Sequence, residues 1–473
     1  MSRSASNYRN LDPKSNSLPT ILLGASYLLL LYICYRDTIS PLWTYYGLAY
    51  REIPGAALAI SVTLALMPML FMPRGITRPS DIASWLLYLC IIVPSSFVPS
   101  MVLSGFTVAG TVLPRLLLGF LVFEVVRRGR PLKLPSVRPL PWLFTIVMPL
   151  FGVIVAVILW RTSGGEWGVA LDADAYIRRE AAREIIGGGS FSGYAQAIAT
   201  TVVVTFMMGM AIAYRKWRYY AVAVIIVVLT NGVDGGKRIV FAPLLFWFVG
   251  KCVIPKRRFG SMYLVGAAAA LVALALLEVK VAHTTIVSTL IVRREMIIPS
   301  ELTAYYLYYF SEHGFVYLRD SVLAVWGLLP KADSSAHTIG TVFFGHPEMN
   351  ANVNLWGSAF AQFGDIGIVG ASVLAGLILK LIDSLAPRPQ TARYVVACMC
   401  SVSCGLCWLD GAVQTSLLTS GVALFIILLY WFPENELSHL AQSASIDRRV
   451  VTGRGQVCNK ASKIGSVLPI SGL

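Results

Sequence analysis

Charged residues are scarce in this sequence. Asp, Glu, Lys and Arg make up 13% of its 473 residues, whereas hydrophobic residues make up 56% and the mean hydropathy is +0.68. Soluble chains carry about 25% charged residues, and repeated apolar runs of about 20 residues are typical of transmembrane helices. The composition excludes a soluble globular protein and predicts an all-α polytopic integral membrane protein.

The chain also lacks the cysteine pattern of a disulfide-stapled or metal-binding protein. Its 8 cysteines fall in predicted helices, on the predicted inner face or in the C-terminal tail, and their spacing matches no metal site. No cleavable signal peptide is predicted either, because the polar residues 1–17 lead into an apolar run long enough to span a membrane. We expect no disulfide, no bound metal and no cofactor.

Apolar runs divide the chain into about twelve predicted membrane spans. Nine of them occupy residues 18–279 and three occupy residues 366–432. Their predicted positions are 18–36, 53–72, 82–103, 106–127, 140–160, 194–214, 217–233, 238–254, 261–279, 366–385, 391–409 and 413–432.

Basic residues in the short connections predict the orientation of these spans. When both termini lie in the cytoplasm, the basic clusters of the even-numbered connections all face the cytoplasm, among them Arg74, Arg78, Arg127, Arg128 and Lys380. Residues 1–17 and 433–473 are then cytoplasmic tails. These clusters and anionic lipid account for the net charge of +15, so we predict no nucleic-acid partner.

Four segments lie on the opposite, periplasmic side in this topology: residues 37–52, 161–194, 231–238 and 280–365. Residues 280–365, here called the central segment, form a large periplasmic loop between the ninth and tenth predicted spans. This segment is the longest stretch of mixed polar, aromatic and charged sequence in the chain. Cations on this side are not explained by topology, and we treat them as candidates for binding an anionic substrate.

Five such cations have a local reason to bind phosphate. Arg178 lies in a predicted short helix within LDADAYIRREAAREIIGGG, for which an interfacial helix with internal ion pairs is the alternative. Lys237 and Arg238 follow a glycine turn at a helix N-terminus, where backbone N–H groups favour an anion, although both could instead reach lipid headgroups. Arg293 and Arg294 carry guanidinium groups that bind phosphate oxygens in pairs.

Asp172-Ala-Asp174 has the form of the D-x-D motif of metal-dependent glycosyltransferases. A helix N-terminus also attracts aspartate, so the pair does not change the expectation that no metal is bound. The aromatic run Thr303–Phe310 is typical of an interfacial belt of tyrosines, with sugar stacking as the alternative.

The remaining candidates are polar residues near these cations. His313, beside an acidic residue, and Glu348 are candidates for a general base, and Asn350 and Asn352 carry amides that suit sugar hydroxyls. Arg115 lies within the fourth predicted span, where a charge costs about 2.5–3.5 kcal/mol and must be paired or face a hydrated cavity.

Five stretches of the sequence stand out together: YIRRE (176–180), GGKR (235–238), RREMIIPSELTAYYLYYF (293–310), the block from IG-x-x-FFG through NANVN to AFAQFGDIGIVGA (339–371), and SLLTSGVALFI (416–426). In combination they resemble the Wzy-type oligosaccharide repeat-unit polymerases, which make O-antigen and exopolysaccharide. The many predicted spans and the dominant periplasmic loop agree with this family.

The resemblance implies a glycosyltransferase of the bacterial inner membrane whose active site faces the periplasm. It would transfer a growing glycan from undecaprenyl pyrophosphate to the non-reducing end of the next lipid-linked repeat unit. Without a metal, fixed arginines would stabilise the pyrophosphate leaving group. The resemblance also implies a chain-length regulator and a flippase as partners, beside membrane lipid.

Two other functions remain open at this point. An O-antigen ligase performs related chemistry and also carries an arginine-rich periplasmic loop. A twelve-helix polysaccharide or lipid transporter is the alternative from another class, but such folds are built from two similar halves and the sequence shows no such symmetry. A lipid-phosphate-sugar glycosyltransferase is disfavoured because residues 37–52 carry acidic residues only at the ends, Asp37 and Glu52.

Overall fold

A computed structural model describes residues 18–103, 106–162, 191–234, 237–321, 324 and 326–437. These residues are organised almost entirely as helices. Their one strand-like feature is an isolated antiparallel bridge between Thr391 and Glu436.

Seventeen helical elements are used below, numbered in chain order. They are α1 Leu18–Tyr46, α2 Gly55–Leu70, α3 Ser80–Ser96, α4 Val98–Val102, α5 Phe106–Arg127, α6 Leu143–Arg161, α7 Ser192–Tyr214, α8 Trp217–Asp234, α9 Lys237–Phe248, α10 Arg257–Ala282, α11 Ser288–Ile297, α12 Ile298–His313, α13 Ser335–Phe344, α14 Leu355–Leu385, α15 Ala392–Leu409, α16 Val413–Leu418 and α17 Val422–Trp431.

Six of these helices, α1, α6, α7, α10, α14 and α15, are long and apolar enough to cross a membrane, and five further apolar helices are shorter. The chain is therefore a helical, multi-pass membrane protein. Each of the predicted spans overlaps a helix or a pair of short helices. The count of about twelve crossings and their orientation stay predictions.

Small residues allow the long helices to approach closely. At the crossing of α5 and α14, a Cβ on Gly376 would lie 2.9 Å from the Val126 Cβ. At the crossing of α7 and α15, a Cβ on Gly209 would lie 3.0 Å from the Val396 Cα. Membrane helices depend on such packing because lipid offers no hydrophobic driving force between them. These two crossings hold α7, α14 and α15 around the cavity described below.

Helix α14 begins earlier than the predicted tenth span and is broken in its first half. Asn354 caps its start, accepting hydrogen bonds from the N–H groups of Trp356 at 3.0 Å and Gly357 at 3.1 Å. Phe363 and Gly364 then leave helical geometry, with φ of −144° and +62°. The Gly364 conformation, with ψ of −142°, suits only glycine. The break therefore depends on this one residue.

The central segment is largely helical, since it contains α11, α12, α13 and the start of α14. Its aromatic run lies in the interior, in contrast to the interfacial belt expected from the sequence. Tyr305 and Tyr306 are buried, and the Tyr305 ring stacks on the Phe343 ring with centroids 4.2 Å apart. The Tyr306 hydroxyl donates to the Ala351 carbonyl at 3.0 Å. These rings hold α12 against α13 and the chain that leads into α14.

Arg127 lies in a fully buried ionic cluster, although the sequence analysis treated it as a loop charge. Its guanidinium bonds Glu124 through both carboxylate oxygens and Asp81 at 2.7 Å. It also donates to the Ser80 hydroxyl at 2.7 Å, and that hydroxyl donates to Asp383 at 2.6 Å. The cluster joins α3, α5 and α14, so Arg127 has a structural role.

Candidate functional site

The central segment covers a cavity of about 1210 Å³. Its walls come from α7, α9, α14, α15 and α16, together with Tyr306 of α12, Leu318, Asp320, Ser321, and residues 334–336 and 352–353 of the central segment. This volume exceeds the roughly 300–1,000 Å³ of most small-molecule pockets. The cavity is large enough for a substrate of several sugar units.

Asp320 is the charged residue in the polar half of this cavity. Its Oδ1 accepts a hydrogen bond from the Gln362 side chain at 3.0 Å, and its Oδ2 accepts one from the Ser335 backbone N–H at 3.1 Å. Ser335 is the first residue of α13, where unpaired N–H groups favour an anion. Asp320 is thereby fixed between α13 and α14 and half-buried at the cavity wall.

The chain that carries Asp320 has an unusual backbone. Tyr317 and Leu318 both have positive φ, 56° and 60°, which non-glycine residues rarely adopt. Hydrogen bonds hold this conformation: the N–H groups of Val316 and Tyr317 donate to the Ala361 and Gln362 carbonyls, and the Leu318 N–H donates to Gln362 Oε1 at 2.7 Å. The carbonyls near the break in α14 thus find partners, and strain of this kind is concentrated at functional sites.

The α14 wall of the cavity changes character at the helix break. Its polar side chains, Ser358 and Gln362, lie before the break, where Ala359 also lines the cavity. From Phe363 onwards the lining residues of α14 are apolar or glycine, among them Ile366 and Leu374. Leu406 and Phe246 add to the apolar half from α15 and α9. One cavity therefore has a polar half and an apolar half.

The apolar half opens to the surroundings of the protein. Ile366 is 81% exposed and Leu418 is 69% exposed, although both line the cavity. The part of the cavity lining that is exposed here is therefore apolar.

Hydroxyl groups form the wall opposite α14. Thr201 and Thr205 of α7 line the cavity one turn apart, and the Thr205 hydroxyl lies 2.6 Å from the Ser403 hydroxyl of α15. Further along this wall lie Asp410 at the end of α15 and Gln414 in α16. Among the described residues that line the cavity, Asp320 and Asp410 are the only charged ones.

Arg294 lies beside the large cavity. It borders a small crevice together with Asn352 and Asp410, both of which also line the large cavity. Within the described part of the chain its guanidinium forms no hydrogen bond or ion pair, and its side chain is exposed. Glu295 borders the same crevice. Of the predicted cations with described side chains, Arg294 is the one beside the cavity.

Arg293 has a different environment, although it is the next residue in the chain. Its guanidinium lies over the Trp43 ring at 4.9 Å and near the Tyr46 ring at 5.9 Å, and its Nε is buried without a hydrogen-bond partner in the described residues. The fully buried Glu301 lies close by. Burial raises the pKa of Glu301 to about 8, while Tyr305 and Arg293 act in the opposite direction. Arg293 thus joins α11 and α12 to the end of α1.

The other predicted residues of the central segment are dispersed. His313 stacks on Tyr309 with ring centroids 4.1 Å apart, and it is exposed outside the cavity. Glu348 and Asn350 are also exposed and outside the cavity, whereas Asn352 lines it.

Arg115 is a paired residue. It forms an ion pair with Asp365 at 2.9 Å and a hydrogen bond to Thr111 at 2.6 Å, and it lies over the Phe360 ring. The pairing agrees with the expectation that a charged residue within a membrane span is paired or faces a hydrated cavity. The pair joins α5 to α14 immediately after the helix break.

Two predicted cations lie at the start of a cavity helix. Lys237 and Arg238 begin α9, and Ala242 and Phe246 further along that helix line the cavity. Arg238 precedes Ala242 by one helical turn. Arg178, Asp172 and Asp174 lie outside the described residues.

Asp320, Gln362 and Asp410 were not predicted from the sequence as site residues. None of them belongs to a charged run or a spaced motif. Asp410 directly follows a predicted span, where an acidic residue simply marks the end of the helix. The one available signal for Gln362 was its place in the AFAQFGDIG block of the family resemblance.

No family model, curated protein or solved structure matches this chain. Fold and cavity define its class: a helical, multi-pass membrane protein with one large amphipathic cavity among its described residues.

Proposed function

We propose that this protein is a membrane glycosyltransferase that polymerises undecaprenyl-pyrophosphate-linked oligosaccharide repeat units. The observation that carries the proposal is the amphipathic cavity, whose α14 wall changes from Ser358 and Gln362 to Ile366 and Leu374 at the helix break. A substrate that joins a polar glycan to a long hydrocarbon chain matches both halves. The family resemblance supports the same substrate independently.

The substrate parts have distinct places in this proposal. The lipid chain lies along the apolar face of α14 and leaves through the exposed opening at Ile366 and Leu418. The sugars occupy the polar half beside Asp320. The pyrophosphate lies at the crevice edge, where Arg294 is exposed and unpaired among the described residues. Lys237 and Arg238, at the start of α9, are the next cations we assign to it.

The reaction is a substitution at the anomeric carbon of the growing glycan. A hydroxyl oxygen at the non-reducing end of the incoming unit forms the new bond, and the bond from the anomeric carbon to the pyrophosphate oxygen breaks with its electron pair. Fixed cations stabilise the charge that develops on this leaving group. The hydroxyl proton passes to a base, and we assign that role to Asp320 because His313 and Glu348 lie outside the cavity.

The cellular setting follows from the same assignment. We place the site at the periplasmic face of a bacterial inner membrane, with a flippase supplying the lipid-linked units and a chain-length regulator as a further partner. Deletion of the gene followed by gel electrophoresis of surface polysaccharide tests this function.

A polymerase defect leaves single repeat units on their acceptor. Long chains that accumulate on the lipid carrier would instead indicate a ligase, and complete loss of external glycan would indicate a transporter. A normal ladder of chain lengths in the deletion strain would overturn the proposal.

A further inference from the structure

We infer that two exposed aromatic rings at the edge of the cavity, those of Tyr317 and Phe363, form a platform on which a pyranose ring of the glycan stacks. This inference rests on the proposed function and specifies a sugar-binding element of the same site. Phe363 lines the cavity and is 41% exposed, and Tyr317 is 53% exposed. Their ring centroids lie 5.8 Å apart at an interplanar angle of 68°. The two rings therefore present one patch of aromatic surface beside the cavity.

Both rings are carried by backbone that departs from regular geometry. Tyr317 has a φ of +56°, which is uncommon for a residue other than glycine, and Phe363 leaves the helix with φ of −144° and ψ of 21°. The Tyr317 N–H donates to the Gln362 carbonyl at 3.2 Å, which joins the two ring-bearing stretches directly. Positive φ at a tyrosine is strained, and strain of this kind is concentrated at ligand-binding and catalytic sites.

A third ring, that of Phe315, supports the platform. It meets the Tyr317 ring and the Phe360 ring edge-on, with centroids 6.1 Å and 5.6 Å away. It also lies against the break in α14, where a Cβ on Gly364 would come within 2.7 Å of the Phe315 Cζ. The platform is therefore positioned before any ligand binds, and a sugar that stacks on it does not have to order these side chains.

The neighbours of the platform favour a sugar over a lipid chain. Leu318 and Asp320, which follow Tyr317 in the chain, line the cavity, and so does Gln362, which precedes Phe363. A pyranose carries hydroxyls around its edge, which suit a carboxylate and an amide. Its faces carry C–H groups with a small positive charge, which the negative face of an aromatic ring attracts. A hydrocarbon chain would gain nothing from the carboxylate and the amide, so the combination fits a sugar.

Leucine variants separate ring stacking from simple apolar contact. Tyr317→Leu and Phe363→Leu each keep an apolar side chain of similar reach but remove the π face. A contact with lipid would tolerate leucine, whereas stacking of a sugar would not. Phe363→Tyr keeps the ring and should bind sugar as the wild type does.

The test uses the purified full-length protein in lipid nanodiscs, with cellotriose, a soluble trisaccharide of β-linked glucose, as the probe. Its hydroxyls are equatorial, so C–H groups lie on both faces of each ring. Saturation-transfer NMR with irradiation of the aromatic protons of the protein reports which sugar protons lie against aromatic rings, and a titration gives the Kd. We expect saturation to be strongest at the axial C–H protons. Each leucine variant should weaken binding about five- to tenfold, as expected for the loss of one aromatic contact.

Tyr45→Leu is the matched control. Tyr45 is 80% exposed and meets the Tyr46 ring edge-on with centroids 5.9 Å apart, but it does not line the cavity. Its replacement should leave the affinity for cellotriose unchanged. The unfolding temperature of every variant is measured alongside, and two platform positions keep the test informative if one leucine variant fails to fold.

Three outcomes would overturn the inference: no binding of cellotriose by the wild type, binding that both leucine variants retain, or an equal loss of binding in Tyr45→Leu. The proposed function is tested separately by the chain-length ladder of the deletion strain. Binding that is insensitive to leucine, together with loss of polymer in the deletion strain, would remove the platform and retain the polymerase. Ring-dependent binding together with a normal ladder would retain the platform and remove the polymerase.

Discussion

Arg294 provides the sharpest test of the site at the scale of one residue. Replacing Arg294 with alanine removes the exposed cation beside Asn352 and Asp410. Loss of one fixed group that stabilises a developing negative charge typically lowers a rate by about 10²–10³-fold. We expect Arg294→Ala to abolish long polysaccharide chains in the gel assay while protein abundance in the membrane is unchanged.

Lys331→Ala is the control for that variant. Lys331 is an exposed cation of the same segment that borders neither the cavity nor the crevice, so its loss should leave the ladder intact. A normal ladder in the Arg294→Ala strain would remove Arg294 from the proposed phosphate site.

Because Glu301 is buried with a raised pKa, we predict that the stability of the protein depends on pH. Glu301 lies in α12, outside the candidate membrane helices, and burial raises its pKa to about 8 in the folded protein. An exposed glutamate in the unfolded chain titrates near about pH 4.3, so the folded protein holds one more proton between these values. The contribution of Glu301 to stability is therefore greatest below about pH 4.3 and falls by about 1.4 kcal/mol per pH unit up to about pH 8.

Thermal unfolding in detergent between about pH 5 and 9 measures this effect. The unfolding temperature of the wild type should decline across the range and level off above the folded-state pKa of about 8. Glu301→Gln, which keeps the shape and cannot ionise, should flatten the profile. A wild-type profile parallel to that of the variant would contradict the assignment.

The arginine pair also marks what the sequence could predict at this scale. Their charge and predicted position identified Arg293 and Arg294 as candidates, but adjacent residues of a helix point in different directions. Which of them lies beside the cavity depends on the register of α11, whose backbone is wound as π-helix. Asp320 could not be predicted in this way. Its hydrogen-bond partners Gln362 and Ser335 come from other helices, and no local sequence pattern predicts these contacts.

At the scale of elements, the broken helix α14 joins the two halves of the cavity. A Cβ on Gly364 would lie 2.7 Å from the Phe315 Cζ, and its φ of +62° with ψ of −142° is unfavourable for any side chain. Strained backbone of this type costs about 1–3 kcal/mol, before any steric clash. We expect Gly364→Ala to lower the unfolding temperature and to shorten the polysaccharide chains.

Gly110→Ala serves as the matched control. Gly110 is a helical residue of α5, and within the described part of the chain a Cβ added there would have no atom within 4 Å. Alanine favours a helix over glycine by about 1 kcal/mol, so this variant should be neutral or slightly more stable. If Gly364→Ala behaved like Gly110→Ala in both measurements, the break would not be required.

Hydropathy predicted the helices well and the break in α14 poorly. Each predicted span overlaps a helix or a pair of short helices, because helices that lie in lipid require apolar runs. Residues 355–365 mix polar and apolar side chains, so the sequence analysis assigned them to the loop rather than to a helix capped by Asn354. The contacts of Phe315 and Gln362 that hold the break involve residues about 45 positions apart.

At the scale of the whole molecule, the predicted orientation depends on counting basic residues. Arg127 no longer counts among the basic residues of the cytoplasmic connections, because it is buried against Glu124 and Asp81. Other basic residues of the predicted cytoplasmic connections, such as the exposed Arg388, remain orientation signals. The predicted topology therefore requires a direct measurement at residues on both sides.

Single cysteines labelled by a membrane-impermeant maleimide provide that measurement. The native cysteines in the described residues are buried or half-buried and give little background, and Cys458, which lies outside the described residues, is replaced by serine. Lys331 and Arg388 are exposed positions on the predicted periplasmic and cytoplasmic sides. We expect Lys331→Cys to be labelled in intact spheroplasts and Arg388→Cys only after the membrane is permeabilised, because the reagent cannot cross lipid. Labelling of Arg388→Cys in intact spheroplasts would reverse the orientation and place the cavity on the cytoplasmic side.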